Sequence, residues 1–375
     1  MHRIAIIEPS HSHEEVILPQ IELLGGRYEI VVIAPSSLLD VELLRTTSAT
    51  YRKYPFRLVW FRSRLLRAVA LPLKYLTIRR VVKRAAPHIL VFNSTYTLAD
   101  VALIALLFRS YKKIQIIHNF KQFLPFYGKW LYRRFSASLV ISDDVYRHIT
   151  RTHPEFSKLD YFLPIFFDSF MAGKRGKANR DAIGRRVVKL GIFGSIEPRR
   201  RNYYGLLEAL ARLDRVKAEA TLHVYLVGKA PPEIVDFIDQ HQLKNIVTIY
   251  HAFVPFHEMF SLLEEMDVVL FLIDSQVAYA AQYNRYKISG TSTLMKAFKK
   301  VGCTSTDFKS DETLADVCWT YEGSRIEHFL SRILDGSLTP QKLRQKATAY
   351  EGIRELTFDR QQNRLVTLIE RVLSS

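Results

Sequence analysis

The sequence predicts an α/β protein built from two doubly wound parallel-sheet domains in tandem, with a cleft between them. Short β-branched apolar runs without polar alternation, such as residues 3–7 and 28–34, read as strands buried on both faces of a parallel sheet. Helical patterns separate these runs. The alternation stops once, in a polar, basic, glycine-containing stretch, and restarts beyond it, as two separate cores require.

At 375 residues the chain exceeds one ordinary core and fits two. The first domain is assigned to residues 1–172. Its strands are read at 3–7 and 28–34, flanking a helix at 14–24, then at 89–93, 114–118 and 138–142, with 161–164 closing the sheet. Residues 173–186 are the linker, because the stretch 171–186, MAGKRGKANRDAIGRR, holds almost no large apolar side chain. The second domain is assigned to 187–356, where VVKLGIFG, TLHVYLVG, IVTIYHAF, DVVLFLID and KVGCTST repeat the strand signal. A long helix follows at 357–373.

Hydrophobic residues make up 48% of the chain and charged residues 24%, which excludes a disordered protein. The two cysteines, Cys303 and Cys318, offer neither a disulfide framework nor zinc spacing and read as small core residues in a reducing compartment. The first residues read as a strand rather than a signal peptide. No apolar run reaches the roughly 20 residues that cross a bilayer, so a soluble or peripheral protein is expected.

A net charge of +17 implies an acidic partner. Residues 43–99 contain no Asp or Glu, while Arg52, Lys53, Arg57, Arg62, Arg64, Arg67, Lys74, Arg79, Arg80, Lys83 and Arg84 all lie there. Tyr51, Tyr54, Phe56, Trp60, Phe61 and Tyr75 are interleaved with them. Such a segment suits an anionic membrane surface, with each base adding about 1 kcal/mol. The alternatives are a solvated basic helix packed by its apolar side and single-stranded nucleic acid, for which no recognised RNA motif is present.

In parallel sheets ligands bind at the carboxyl ends of strands, so the residues after each strand are the candidates for chemistry. The first strand leads into Glu8-Pro-Ser-His-Ser-His-Glu-Glu15, where a neutral imidazole of His11 or His13 could orient or deprotonate a hydroxyl. A solvent-exposed cap with Glu14 in the helix's first turn is equally open, and the His-x-His spacing supplies no third metal ligand. His118 and Asn119 end another strand. Asp143 and Asp144 follow the next, where they could contact hydroxyls of a bound molecule or cap a helix, the favoured reading. In the second half, Gly194-Ser-Ile-Glu-Pro-Arg-Arg-Arg-Asn202 sets three guanidinium groups after a strand, and Lys229 follows Gly228 at the next.

The stretch 283–306, YNRYKISGTSTLMKAFKKVGCTST, carries the strongest signal. Ser289, Gly290 and Thr291 open a helix read as stopping at Gly302. The first helical turn leaves N–H groups unpaired at the positive end of the macrodipole, and a glycine lets a phosphate approach them. The alternative is plain capping by Ser and Thr.

This Ser-Gly-small loop, the HSHEE and His118-Asn119 strand ends and the Gly194 arginine loop fall in an order that resembles the GT-B glycosyltransferases, especially the glycogen-synthase-like group called family 4. The resemblance covers nearly the whole chain. It implies two Rossmann-like domains, with the helix at 357–375 crossing back to the first. It also implies a nucleotide-sugar donor on the second domain and a glycan or lipid-linked acceptor on the first, with no cofactor and no metal. Donor-binding residues implied are Gly194, Arg199, Arg200, Arg201, Lys229, Val254, Tyr286, Ser289, Gly290 and Thr291. His118 would face the reacting sugar and His13 would act with it, while His11, Glu14 and Asn119 would contact the acceptor. The family's Glu-x7-Glu pair is missing, and Lys287, Ile288 and Lys296 stand in that region.

The expected function is therefore hexosyl transfer from a nucleoside diphosphate sugar in surface polysaccharide or glycoconjugate synthesis, in the cytoplasm and peripheral on the inner membrane face. Nucleic acid is not the expected partner. The rivals are a nucleotide-sugar 2-epimerase of the same architecture, whose usual acids and histidines look sparse here, and a non-catalytic GT-B-like or basic nucleic-acid-binding protein.

Overall fold

A computed structural model of the chain describes all residues except 11, 12, 46, 48, 58–63, 96, 166–186, 251, 253, 284, 287, 288 and 309–311, and of 42, 43, 64–69, 312 and 313 it describes the backbone alone. The stretch read as the linker, 173–186, lies outside the described residues. The chain forms two compact units: Met1–Gly173 with Tyr286–Ile288 and Glu355–Ser375, and Lys174–Arg285 with Ser289–Arg354.

The first unit runs β1 (Arg3–Ile7), α1 (Glu14–Leu24), β2 (Glu29–Pro35), α2 (Ser36–Leu39), α3 (Glu42–Arg45), β3 (Tyr51–Phe56), α4 (Arg64–Ala85), β4 (Ile89–Phe92), α5 (Leu98–Leu107), β5 (Lys112–Ile117), α6 (Phe126–Tyr132), β6 (Ala137–Val140), α7 (Asp143–Thr152) and β7 (Leu159–Tyr161). Its seven strands are all parallel, in the order β3-β2-β1-β4-β5-β6-β7. The central strands bury every residue from Ile4 to Ile7 and from Ile89 to Phe92. Apolar side chains on both faces explain why these segments show no alternation.

Two sequence expectations change here. Residues 51–56, read as part of a basic surface segment, form the edge strand β3, in which only Phe56 is buried and Arg52 and Lys53 point outward. Exposed cations on an edge discourage pairing with another chain. The cap before α7 is Ser142, whose hydroxyl accepts the Val145 N–H; Asp143 and Asp144 occupy the first turn instead.

The second unit runs β8 (Val188–Phe193), α8 (Tyr203–Arg212), α9 (Arg215–Thr221), β9 (Leu222–Val227), α10 (Pro232–Gln240), β10 (Val247–Ile249), α11 (Phe256–Glu265), β11 (Val268–Leu270), α12 (Ala280–Tyr283), α13 (Gly290–Ala297), β12 (Val301–Ser305), β13 (Cys318–Tyr321), α14 (Glu327–Leu334) and α15 (Pro340–Ala347). Its six parallel strands take the order β10-β9-β8-β11-β12-β13, so both sheets reverse direction beside their first strand. Gly302 does not stop α13. The helix ends at Phe298, the turn passes through Lys299 at φ 50°, and Gly302 lies inside β12, where any side chain would meet Met295 Sδ and Cys318 Sγ. Cys303 and Cys318 are both buried and form no disulfide.

The last helix, α16 (Phe358–Ser374), belongs to the first unit. It packs on α1, and Gln361 accepts the buried Leu163 N–H at 2.9 Å. Arg364 pairs with Asp160 at 2.9 Å, and Lys112 donates to the Leu373 carbonyl at 2.7 Å.

Candidate functional site

In the first unit the sheet reverses direction between β1 and β4, which opens a crevice at their carboxyl ends. Glu8 follows β1 there and is fully buried. Its Oε1 accepts the Ser10 N–H at 2.8 Å and the Ser10 hydroxyl at 2.6 Å, and its Oε2 accepts the hydroxyl of Ser94, just beyond β4, at 2.7 Å. Burial pushes this carboxyl up to about 7, against the pull of the His13 charge and of the Ser10 and Ser94 hydrogen bonds.

His13 precedes α1 in a left-handed conformation, φ 76°. Its Nδ1 lies 2.9 Å from Glu15 Oε1. A carboxylate only accepts, so Nδ1 carries the proton and the neutral ring's lone pair sits on Nε2. Burial disfavours the imidazolium, yet the Glu15 hydrogen bond and the charges of Glu15, Glu8 and Glu14 leave its pKa raised. Burial likewise disfavours the Glu15 charge, but the hydrogen bond and charge of His13 outweigh it and hold that carboxyl low. His118 directly follows β5, with Nε2 at 2.8 Å from the Asn93 carbonyl, so Nε2 is its protonated nitrogen. The rings of His13 and His118 stand 4.2 Å apart. Two histidines distant in the sequence thus meet, and Glu15, not itself among the expected site residues, holds the first of them.

Glu14 is half-buried in the first turn of α1, and burial pushes its carboxyl up to about 7. Asn119 is exposed, and its Oδ1 accepts the Lys121 N–H of a short 3-10 turn. His11 lies outside the described residues.

These shifts have a sign. Glu8 ionises near 4.5 in an unfolded chain and near 7 here, so between those values the folded state holds the extra proton and stability falls as pH rises. The raised His13 acts in the same sense, its contribution disappearing as pH climbs through its folded value. Glu15 acts oppositely, losing its contribution as pH falls below 4.5. Glu8→Gln is expected to flatten the decline, whose limit is about 1.4 kcal/mol per pH unit for one group. Urea unfolding of both proteins from pH 4.5 to 8 measures it, and parallel curves would exclude Glu8 as the source.

In the second unit the corresponding reversal lies between β8 and β11. Gly194 follows β8 at φ 103°, and Gly228 follows β9 so closely that a Cβ on it would lie 2.0 Å from the Gly194 carbonyl oxygen. Only glycine fits there. Arg199 and Arg200 are exposed, with Arg200 paired to Glu197 at 2.9 Å. Arg201 turns inward. Its Nη1 donates to the Phe193 carbonyl at 2.9 Å and to the Tyr203 hydroxyl at 3.2 Å, while Nη2 donates to Thr291 Oγ1 at 2.6 Å. The arginine therefore ties the end of β8 to the first turn of α13.

Ser289 is the N-cap residue of α13 but makes no side-chain capping bond, and among the described residues no atom lies within 4 Å of where a Cβ on Gly290 would stand. Asn202 donates from Nδ2 to Asp274 Oδ2 at 2.7 Å, and its Oδ1 accepts the Gly205 N–H at 2.9 Å, joining the α8 cap to the segment after β11. Burial raises the Asp274 pKa despite that bond. Lys229 is exposed and Val254 buried. Tyr286 falls in the first unit, where its carbonyl accepts the Phe120 N–H.

No protein-family model matches the chain, and no curated protein sequence matches it. Solved structures do. Sucrose-phosphate synthase from Thermosynechococcus elongatus superposes at a TM-score of 0.69, with 11% identity and 100% of both chains covered. The Anabaena protein HepE, solved with UDP, gives 0.63 at 12% identity over 97% of this chain and 99% of the other. A UDP-GlcNAc 2-epimerase from Neisseria meningitidis bound to UDP-GlcNAc gives 0.60 at 12% identity over 99% of this chain and 100% of the other. The chain has the GT-B fold. Within this GT-B chain, the region that carries the Glu-x7-Glu pair in the family 4 group holds a buried Lys296, and Lys287 and Ile288 lie outside the described residues.

Proposed function

We propose that the chain is a glycosyltransferase of the family 4-like group, moving a hexose from a nucleoside diphosphate sugar to a glycan or lipid-linked acceptor. Surface polysaccharide or glycoconjugate synthesis is its setting, peripheral at the cytoplasmic face of a membrane. One observation carries this reading: Arg201 braces the first turn of α13 through Thr291, while among the described residues nothing crowds the Cα of Gly290. A guanidinium, helix N–H groups and a vacant approach together suit a leaving diphosphate, whose charge grows as the sugar departs. In the first unit, His13 takes the acceptor proton on Nε2, its Nδ1–H held by Glu15, and the Asn93 carbonyl sets the orientation of His118. Donor and acceptor chemistry need no metal or cofactor in this scheme. Neighbours solved with UDP or UDP-GlcNAc support a uridine nucleotide as the first donor to try.

The 2-epimerase reading gains one observation. Glu8, His13, Glu14, Glu15 and His118 gather at one end of the first sheet, so the titratable groups that looked sparse in sequence are concentrated in space. A thermal-stability screen against nucleoside diphosphates, followed by incubation with the stabilising sugar nucleotide, separates the readings. A ligand at 100 times its Kd adds about 2.7 kcal/mol. Transfer releases nucleoside diphosphate only with an acceptor, whereas epimerisation alters the sugar with none. Stabilisation by no nucleotide would remove both enzymatic readings.

A further inference from the structure

The first unit carries an exposed apolar surface that neither the donor loop nor the histidine cluster uses. Helix α5 packs beside both α4 and α6. Its solvent side is aliphatic throughout: Ala99 and Ala102 are exposed, Leu106 is 66% exposed, and its one charge, Asp100, is buried against Tyr75 and Lys74. Next to it α6 presents Phe126, Tyr127 and Trp130, of which Phe126 is 86% exposed, and α4 adds Leu73 and Leu76. A folded chain rarely leaves so many large apolar side chains together in water.

The rim of this surface is basic. Lys121, Arg133 and Arg134 flank α6, Arg109 follows α5, and Arg80, Lys83 and Arg84 lie along α4, all exposed. The Arg134 guanidinium sits 4.5 Å from the centre of the Trp130 ring. Asp100 is the sole acid in the three helices, and Lys129 on α6 is matched by Glu155 at 2.8 Å. Among the described residues no helix is long and apolar enough to cross a membrane.

We infer that the outer faces of α5 and α6, with the adjoining turn of α4, dock on an anionic lipid bilayer, Phe126, Tyr127, Trp130 and Leu106 entering the interface while the surrounding arginines and lysines meet phosphate headgroups. This deepens the membrane-side reading proposed above and shifts the contact from the acid-free segment alone to α5 and α6, of which that segment holds only Leu98 and Ala99. Aromatic side chains prefer the headgroup boundary, and a basic rim adds attraction to acidic lipid. Single-stranded nucleic acid also takes aromatics and bases, but the aliphatic face of α5 offers it neither stacking nor hydrogen bonds, whereas acyl chains need only apolar area.

Sedimentation of the full chain with phosphatidylcholine vesicles, with and without phosphatidylglycerol, tests this at low and high salt. The expected result is partition into the phosphatidylglycerol vesicles that weakens with salt, and at least about a tenfold loss in both Leu106→Glu and the double variant Phe126→Ser/Trp130→Ser. Both variants should keep the parent melting temperature and its nucleoside diphosphate affinity, since the substituted side chains already face water. No partition by the parent protein, or equal partition by the variants, overturns the proposal. So does a result in which the variants lose binding to single-stranded RNA or self-association rather than to vesicles. Because nucleotide binding is read separately, the surface can fail while the donor assignment stands, and the reverse.

Discussion

Gly290→Val is expected to weaken nucleoside diphosphate binding by at least about a hundredfold while leaving the melting temperature nearly unchanged. No atom of the described residues lies within 4 Å of a Cβ at this position, so the fold accommodates a side chain there. A phosphate must approach the α13 N–H groups to roughly 3 Å, and a branched Cβ occupies that path. Gly290→Ala should be intermediate. Ser289→Ala should cost about 1 kcal/mol of binding or less, because its hydroxyl makes no capping bond whose loss would disturb the helix. Calorimetric titration of the three variants gives the order, and wild-type affinity in a stable Gly290→Val protein would refute the phosphate loop.

His13→Ala should lower turnover between about a hundredfold and ten-thousandfold, the usual contribution of a positioned general base, with donor affinity retained. The distinction between rate and binding matters, since His13 stands at the carboxyl end of the first sheet and the diphosphate groups are assigned to the second. Glu15→Gln keeps a hydrogen-bond acceptor for Nδ1 but removes the charge that raises the imidazole pKa, so its pH–rate profile should shift to lower pH with a smaller loss. Equal turnover in His13→Ala would take the imidazole out of the reaction and leave the Glu8 network as a packing device.

The parallel strands were legible because burial on both faces leaves an unbroken apolar run, as in Ile4 to Ile7 or Ile89 to Phe92. β3 was not, because an edge strand buries little: YRKYPF hides only Phe56 and looks like a charged surface. β13, CWTY, is too short for any pattern. The end of α13 was misplaced because a lysine, not the nearby glycine, takes the positive φ that turns the chain. His13 and His118 could be singled out by their positions after strands, but their 4.2 Å approach is a property of strand order. Glu8 stood in plain view after β1. What makes it unusual is burial and a bond to Ser94, 86 residues away, and neither leaves a local trace.

The attachment of α16 to the first unit bears on how the chain folds during synthesis. Gln361, Arg364 and Leu373 supply partners to Leu163, Asp160 and Lys112, yet they are translated only after every residue of the second unit. At 5–20 residues per second, roughly 10 to 40 s separate the emergence of β7 from that of its closing helix. Throughout that interval the first unit lacks the helix that packs on α1, so the apolar flank of α1 stays uncovered longer than it would in a chain of two consecutive domains.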